Sequence, residues 1–151
     1  MSAIASAMSG HHSRCDDLFA AALAKVSQES WDDATSEFKR FHDEMELHMR
    51  GEETVLFPAF ESTTGIQAGP TIVMRQEHDR MRPLLTQIEM ALGARDPERV
   101  DGYTSTLLIL MQQHNLKEEN ILYPMIDAAL HDRAPELVAQ LDLGRNPMRS
   151  Q

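Results

Sequence analysis

The sequence predicts an all-α protein, an up-down-up-down four-helix bundle with a short C-terminal extension, on three observations. Apolar residues recur at steps of three and four, and no segment alternates as a half-buried strand does. Aromatic residues make up only 5% while Met reaches 10, a composition that favours helices and is poor in strand formers. An eleven-residue block occurs twice: HMRGEETVLFP from His48 to Pro58 and HNLKEENILYP from His114 to Pro124. Both read HxxxEExxL-aromatic-P, at an offset of 66 residues, from 48 to 114. The same offset carries His12 onto His78, Cys15 onto Met81 and Leu18 onto Leu84 without a gap. His11 lands on Glu77 and His42 on Leu108, so these two do not repeat. The chain therefore divides into two halves, roughly 10–64 and 76–130, of two elements each.

Each element carries one apolar stripe. The first helix has His12, Cys15, Phe19, Ala22 and Val26. Ser30, with Asp33 in the first turn, opens the second, offering a capping oxygen and an acid to the helix start. Its stripe is Phe38, Phe41, Met45, His48, Glu52 and Val55, and Pro58 removes a backbone donor and should kink or end it. The segment STTGIQAG, Ser62 to Gly69, is the loop between halves. Gly69-Pro70 opens the third helix, with Met74, His78, Met81, Leu85, Ile88 and Leu92. Asp96-Pro97 starts the fourth, since Pro suits the first helical position. There the stripe is Thr104, Leu107, Met111, His114, Glu118 and Ile121, and Pro124 acts as Pro58 does. A short helix from Pro135 to Leu141 and a frayed end from Arg145 to Gln151 complete a single domain, 1–151, with its core at about 10–131.

With 24 acidic and 14 basic residues the net charge is -10, which argues against nucleic acid or an anionic membrane as partner. No apolar run approaches the roughly 18 residues of a membrane span. Met1 to Met8 lacks the basic start of a signal peptide, and the one Cys, Cys15, rules out an internal disulfide. A reducing, cytoplasmic location is the expectation.

The histidines share a level. Ser30 is the midpoint of His12 and His48, Asp96 that of His78 and His114, and Thr63 that of His48 and His78. All three midpoints fall on predicted turns or loops, so the four imidazoles lie at one height on antiparallel helices, about 20–27 Å from a bundle end. Glu52 and Glu118 sit one turn from His48 and His114 on the same faces. Glu53 and Glu119 lie about 140° around the helix and are read as facing solvent. Six such groups cannot be buried without partners, and metal ions supply them. Four imidazoles and two carboxylates fit two ions, with the carboxylates bridging and an open position on each ion. Iron, zinc and manganese all suit these ligand types, while the lack of Cys ligands disfavours a sulfur cluster or structural zinc. His11 competes with His12, and the repeat register favours His12. Cys15 is read as core, and His42 and His131 as exposed. Asp16 and Arg82 follow His12 and His78 by four residues, and either pair behind the ligands or bridge on the surface.

The block HxxxEExxLFP, the later Glu77-His78 and the block HxxxEExxLYP together resemble the hemerythrin-like (HHE cation-binding) family, over roughly His11 to Leu130. The resemblance implies a four-helix bundle holding a non-haem di-iron centre. Its two iron ions would be oxo- or hydroxo-bridged and held by His12, His48, Glu52, His78, His114 and Glu118, with Glu52 and Glu118 bridging. The sequence departs from the oxygen carriers of that family. They have HxxxH on the third helix, where Arg82 follows His78, and they use a differently spaced Asp in place of Glu118. Four His and two Glu are more similar to di-iron proteins linked to repair of damaged iron–sulfur clusters, although the N-terminal Cys-pair domain those proteins often carry is not found here. The expected function is binding or sensing of oxygen, nitric oxide or peroxide. Iron donation to damaged clusters and peroxide-handling enzyme chemistry are the alternatives, and a di-zinc hydrolase is a third class.

Overall fold

A computed structural model describes residues 3–143, and these are helical almost throughout, with no strand among the described residues. The helices are α1 (Ala3–Ser27), α2 (Trp31–Gly51), α3 (Phe57–Thr64), α4 (Pro70–Gly93), α5 (Pro97–Lys117), α6 (Tyr123–Leu130) and α7 (Ala134–Leu141). The frayed end expected at Arg145 to Gln151 lies outside the described residues.

The duplication is visible in the turns. After α1, the Ser30 N–H donates to the Lys25 carbonyl with Glu29 at φ 58°. After α4, the Asp96 N–H donates to the Ala91 carbonyl with Arg95 at φ 51°. Both are left-handed closures that satisfy carbonyls at a helix end, and they lie at matching repeat positions. Asp96 caps α5 by accepting from the Arg99 N–H at 3.2 Å. The cap expected of Ser30 is not made, leaving Asp32 and Asp33 in the first turn of α2 to complement its N-terminus.

Pro58 and Pro124 neither end nor break the helical path. Ahead of each lies one π-helical turn, Glu52–Leu56 and Glu118–Leu122. There the Phe57 N–H reaches back to the Glu52 carbonyl, and the Tyr123 N–H to that of Glu118. A proline in an α-helix clashes with the carbonyl four residues back and leaves it without a donor. Widening one turn by a residue relieves that clash, and the chain continues as α3 and α6. Each π turn begins on the Glu of an HxxxE pair, and such turns are frequent at functional sites.

α1 starts at Ala3, well before the expected core boundary. Its first N–H groups are satisfied from a distance: Ile4 and Ala5 donate to the two carboxylate oxygens of Asp127 at 3.0 and 2.8 Å. This lets Ile4 and Met8 join the core.

Two apolar clusters fill the interior. Cys15, Phe19, Phe38, Phe41, Met45, Met81, Leu85 and Met111 belong to one. Ile4, Met8, Leu56, Phe57, Met74, Leu122, Tyr123 and Leu137 belong to the other. On α1 and α4 the second cluster precedes the histidine (Met8, Met74) and the first follows it (Cys15, Met81), whereas α2 and α5 carry the first cluster (Met45, Met111) and the π turns after them the second (Leu56, Leu122), so the polar layer lies between the two. α1 packs on α2, α4 on α5, α2 on α4, and α6 and α7 on α1. Leu141 of α7 closes over Gly51, where an added Cβ would meet its Cδ2 at 2.8 Å. Among the described residues no helix is long and apolar enough to cross a membrane.

Candidate metal centre

The six residues predicted to form a layer do converge. Glu52, His78, His114 and Glu118 each offer one atom, all within 4.8 Å of one another. His12, His48 and Glu118 form a second such group, so Glu118 is common to both. All six are buried, with Glu52, His78 and Glu118 at 0% exposure.

One of these contacts is informative because it is not a hydrogen bond. His78 Nε2 lies 3.0 Å from Glu52 Oε1, yet neither atom has a hydrogen-bond partner, and Glu118 Oε2 is likewise unsatisfied. A close pair misaligned for a hydrogen bond points at a common third position. Leaving such atoms without a partner costs about 1–3 kcal/mol each, more for charged groups. A cation between them removes the cost, so the donor set fits a metal.

The outward nitrogen of each imidazole is held from behind. His78 Nδ1 lies 2.6 Å from Glu53 Oε2, and His12 Nδ1 lies 2.6 Å from Glu119 Oε2. These contacts are repeat counterparts. They correct the expectation that Glu53 and Glu119 face solvent. With Nε2 turned inward, Nδ1 emerges in the seam between neighbouring helices, where a residue off the interior stripe reaches it. Arg82 clamps Glu53 through 3.0 and 2.9 Å bonds and also binds Glu46. It does not pair with Asp16. Burial opposes the charge on Glu53, but Arg82 and His78 hold its carboxyl below the usual range. An ionised carboxylate there accepts the Nδ1–H and leaves Nε2 as a bare lone pair facing inward, the tautomer a metal ligand requires.

The fourth-helix histidine is backed by the residue before the third-helix one: His114 Nδ1 lies 2.8 Å from Glu77 Oε1, and Lys117 binds the other Glu77 oxygen. The repeat puts His11 where Glu77 stands, and His11 does the corresponding job. Its Nδ1 lies 2.8 Å from His48 Nδ1, while its Nε2 lies 3.0 Å from Glu44 Oε2. Arg14 donates to the other Glu44 oxygen at 2.9 Å. His11 is therefore placed behind His48, not in competition with His12. Burial and the nearby His48 lower its pKa to about 4, so it is neutral. Its Nε2–H donates to Glu44, and its Nδ1 is left to accept from His48.

Burial works against charge on His48 and His114 too. Glu52 and Glu118 outweigh it, raising His48 to about 10 and, with Glu118 foremost, His114 to about 9. Burial likewise opposes the charge on Glu118, yet His114 and the hydrogen bonds around it hold its carboxyl well below the ordinary range. Without metal, protonated imidazoles neutralise the buried carboxylates.

One residue in the centre has no counterpart in the predicted set. Tyr123 Oη lies 2.6 Å from Glu52 Oε2, 2.8 Å from Glu118 Oε1, and 3.2 Å from Nε2 of both His12 and His48. On α periodicity it should face away, because nine residues after His114 amount to about 180°. The π turn absorbs one residue, about 100°, and brings it in. The prolines were the available signal.

The remaining assignments are plain. Cys15 is buried core, with burial and then Glu44 and Asp16 pushing its thiol well up. His131 is exposed. His42, expected exposed, is half-buried and pairs with Glu89 at 3.0 Å. Two clefts reach the backing groups. One, of about 550 Å³, is lined by His11 and Arg14; the other, of about 630 Å³, by Asp16 and Glu119.

The sequence profile of the hemerythrin HHE cation binding domain matches residues 3–126. The iron-sulfur cluster repair protein YtfE of Escherichia coli O81 (strain ED1a) is 33% identical over 92 residues, which cover 55% of this chain and 42% of that protein. Those of Escherichia coli O1:K1 / APEC and Escherichia fergusonii are 32% identical over the same shares. The matched segment thus spans less than half the length of these relatives. No solved structure matches the chain.

Proposed function

The chain belongs to the hemerythrin HHE cation binding domain family, and on that footing we propose that it holds two iron ions and binds or senses oxygen, nitric oxide or peroxide there. His78, His114 and Glu52 would hold one ion and His12 and His48 the other, with Glu118 common to both groups. The observation that carries this reading is the buried His78–Glu52 pair, 3.0 Å apart with no hydrogen bond between them. The up-down-up-down course of α1, α2, α4 and α5 is part of the reading, supported by the alternation of the two apolar clusters along successive helices. A cytoplasmic setting is proposed on the single Cys.

Iron in this donor set would supply open positions and redox capacity for a small ligand. The protein's own part is to fix and insulate. The backing groups lock every imidazole in one tautomer, and the apolar clusters on both sides keep water away and tune the centre. Among the described residues no acid–base side chain other than Tyr123 joins the six at the centre, which favours binding over turnover.

Anaerobic loading with ferrous iron and elemental quantification should find two equivalents per chain, with visible absorption changing on nitric oxide or air. Less than one equivalent would sink the reading. A second reading, iron donation to damaged iron–sulfur clusters, is supported by the YtfE similarity over 55% of the chain. It predicts that the loaded protein restores activity to a damaged iron–sulfur enzyme, with loss of its own iron.

A further inference from the structure

The two halves of the centre are unequal in donors. The His78/His114 side brings together four donor residues within 4.8 Å, whereas the His12/His48 side brings together three. On that poorer side stands the Tyr123 hydroxyl. Resting on the di-iron reading, we propose that Tyr123 Oη is a further metal donor, completing the position formed by His12, His48 and Glu118.

The distances have the required form. Ligand atoms about 2.0–2.2 Å from one ion and about 90° apart lie about 3 Å from each other. Tyr123 Oη stands 3.2 Å from both imidazole Nε2 atoms and 2.8 Å from Glu118 Oε1. These are the atoms that would face the metal, so the hydroxyl stands where a further donor to the same ion would.

The duplication supplies an internal control. At the equivalent place in the first half stands Phe57, nearly parallel to His78 with ring centroids 6.1 Å apart. An aromatic ring suffices to pack the π turn, and both rings are buried at 0% exposure. The second half adds only the oxygen, and adds it where the donor count is short. On coordination the oxygen gives a lone pair to the metal and the phenol proton leaves to solvent.

The test compares wild type and Tyr123→Phe, both loaded with iron and oxidised. Ferric iron bound by a phenolate absorbs in the visible region and gives tyrosinate ring modes in resonance Raman spectra. The chain has two Tyr, and Tyr103 packs against the apolar cluster away from the centre, so the modes can be assigned by tyrosine isotope labelling. Expected are tyrosinate modes in wild type and their loss in the variant. The variant should keep its first equivalent of iron and bind the second at least about tenfold more weakly. Two equivalents in wild type without tyrosinate modes would overturn this proposal alone, leaving Tyr123 as a hydrogen-bond donor to the carboxylates. Failure of wild type to hold a second equivalent would overturn the di-iron reading and this proposal with it. Should the variant not fold, the labelled wild-type spectrum decides by itself.

Discussion

His78 and Glu53 illustrate how a residue off the apolar stripe can matter as much as one on it. Glu53 orients the imidazole so that its other nitrogen faces inward, and Arg82 in turn holds Glu53 in place. Outer partners of this kind are worth about ten- to a hundredfold in metal affinity. Glu53→Ala should therefore weaken metal binding by about that factor, read by competition with a chelator, while His131→Ala at the surface leaves it unchanged. Equal affinities for the two variants would show that Glu53 is only a solvated side chain. The six interior groups were legible in the sequence because a duplicated HxxxE spacing and equal distances from the turns both point to one layer. Their backing groups were not, since helical periodicity assigns Glu53 and Glu119 to the outside and is blind to the outward imidazole nitrogen. A trace remained in the repeat register, where His11 falls on Glu77, a break directly beside the aligned His12 and His78. That break marks the position that backs the next histidine in both halves.

Among the elements, α1 depends most on a residue far from it in sequence. Its first N–H groups are satisfied by Asp127, on α6, rather than by a local cap. Bonds from backbone donors to a buried carboxylate are stronger than ordinary caps, at about 1.5–3 kcal/mol for hydrogen bonds to charged groups. Asp127→Ala should cost about 1–3 kcal/mol in stability, a fall of several degrees in Tm for a chain of this size. Amide exchange should accelerate first at residues 4–8, because the Asp127 carboxylate holds the first N–H groups of α1. Uniform acceleration across the molecule would show that the tether is not local. The four long helices and their turns were readable from stripes, Pro and capping residues, but the start of α1 was not, because its cap comes from the other end of the chain. The π turns escaped for a related reason. Pro58 and Pro124 announce a disturbance, yet whether a helix stops, bends or widens is decided by what packs around it, and here α3 and α6 pack on each other.

For the molecule as a whole, two fully buried carboxylates set the dependence of stability on pH. In the metal-free protein His48 is raised to about 10 and His114 to about 9, from an ordinary value of 6.5. The folded state thus binds more protons than the unfolded one between these values. The stabilisation is complete below about pH 6.5 and is lost as pH rises toward 9–10. Opposite trends appear on the acid side. Glu118, held well below 4.5, contributes stability above that value and loses it as pH falls. His11, lowered to about 4, resists protonation in the fold and weakens it as pH drops from 6.5. Metal ions bound at the proposed centre would take the place of the protons on His48 and His114, so binding should compete with protonation and strengthen as pH rises. The Tm of metal-free protein should fall between pH 7 and pH 9, while that of zinc-loaded protein holds or rises, so the gap between them widens. Zinc serves because it accepts the same ligands without changing oxidation state. Parallel slopes for the two forms would mean that the ions do not displace protons from these imidazoles, and that the buried Glu52 and Glu118 are neutralised in some other way.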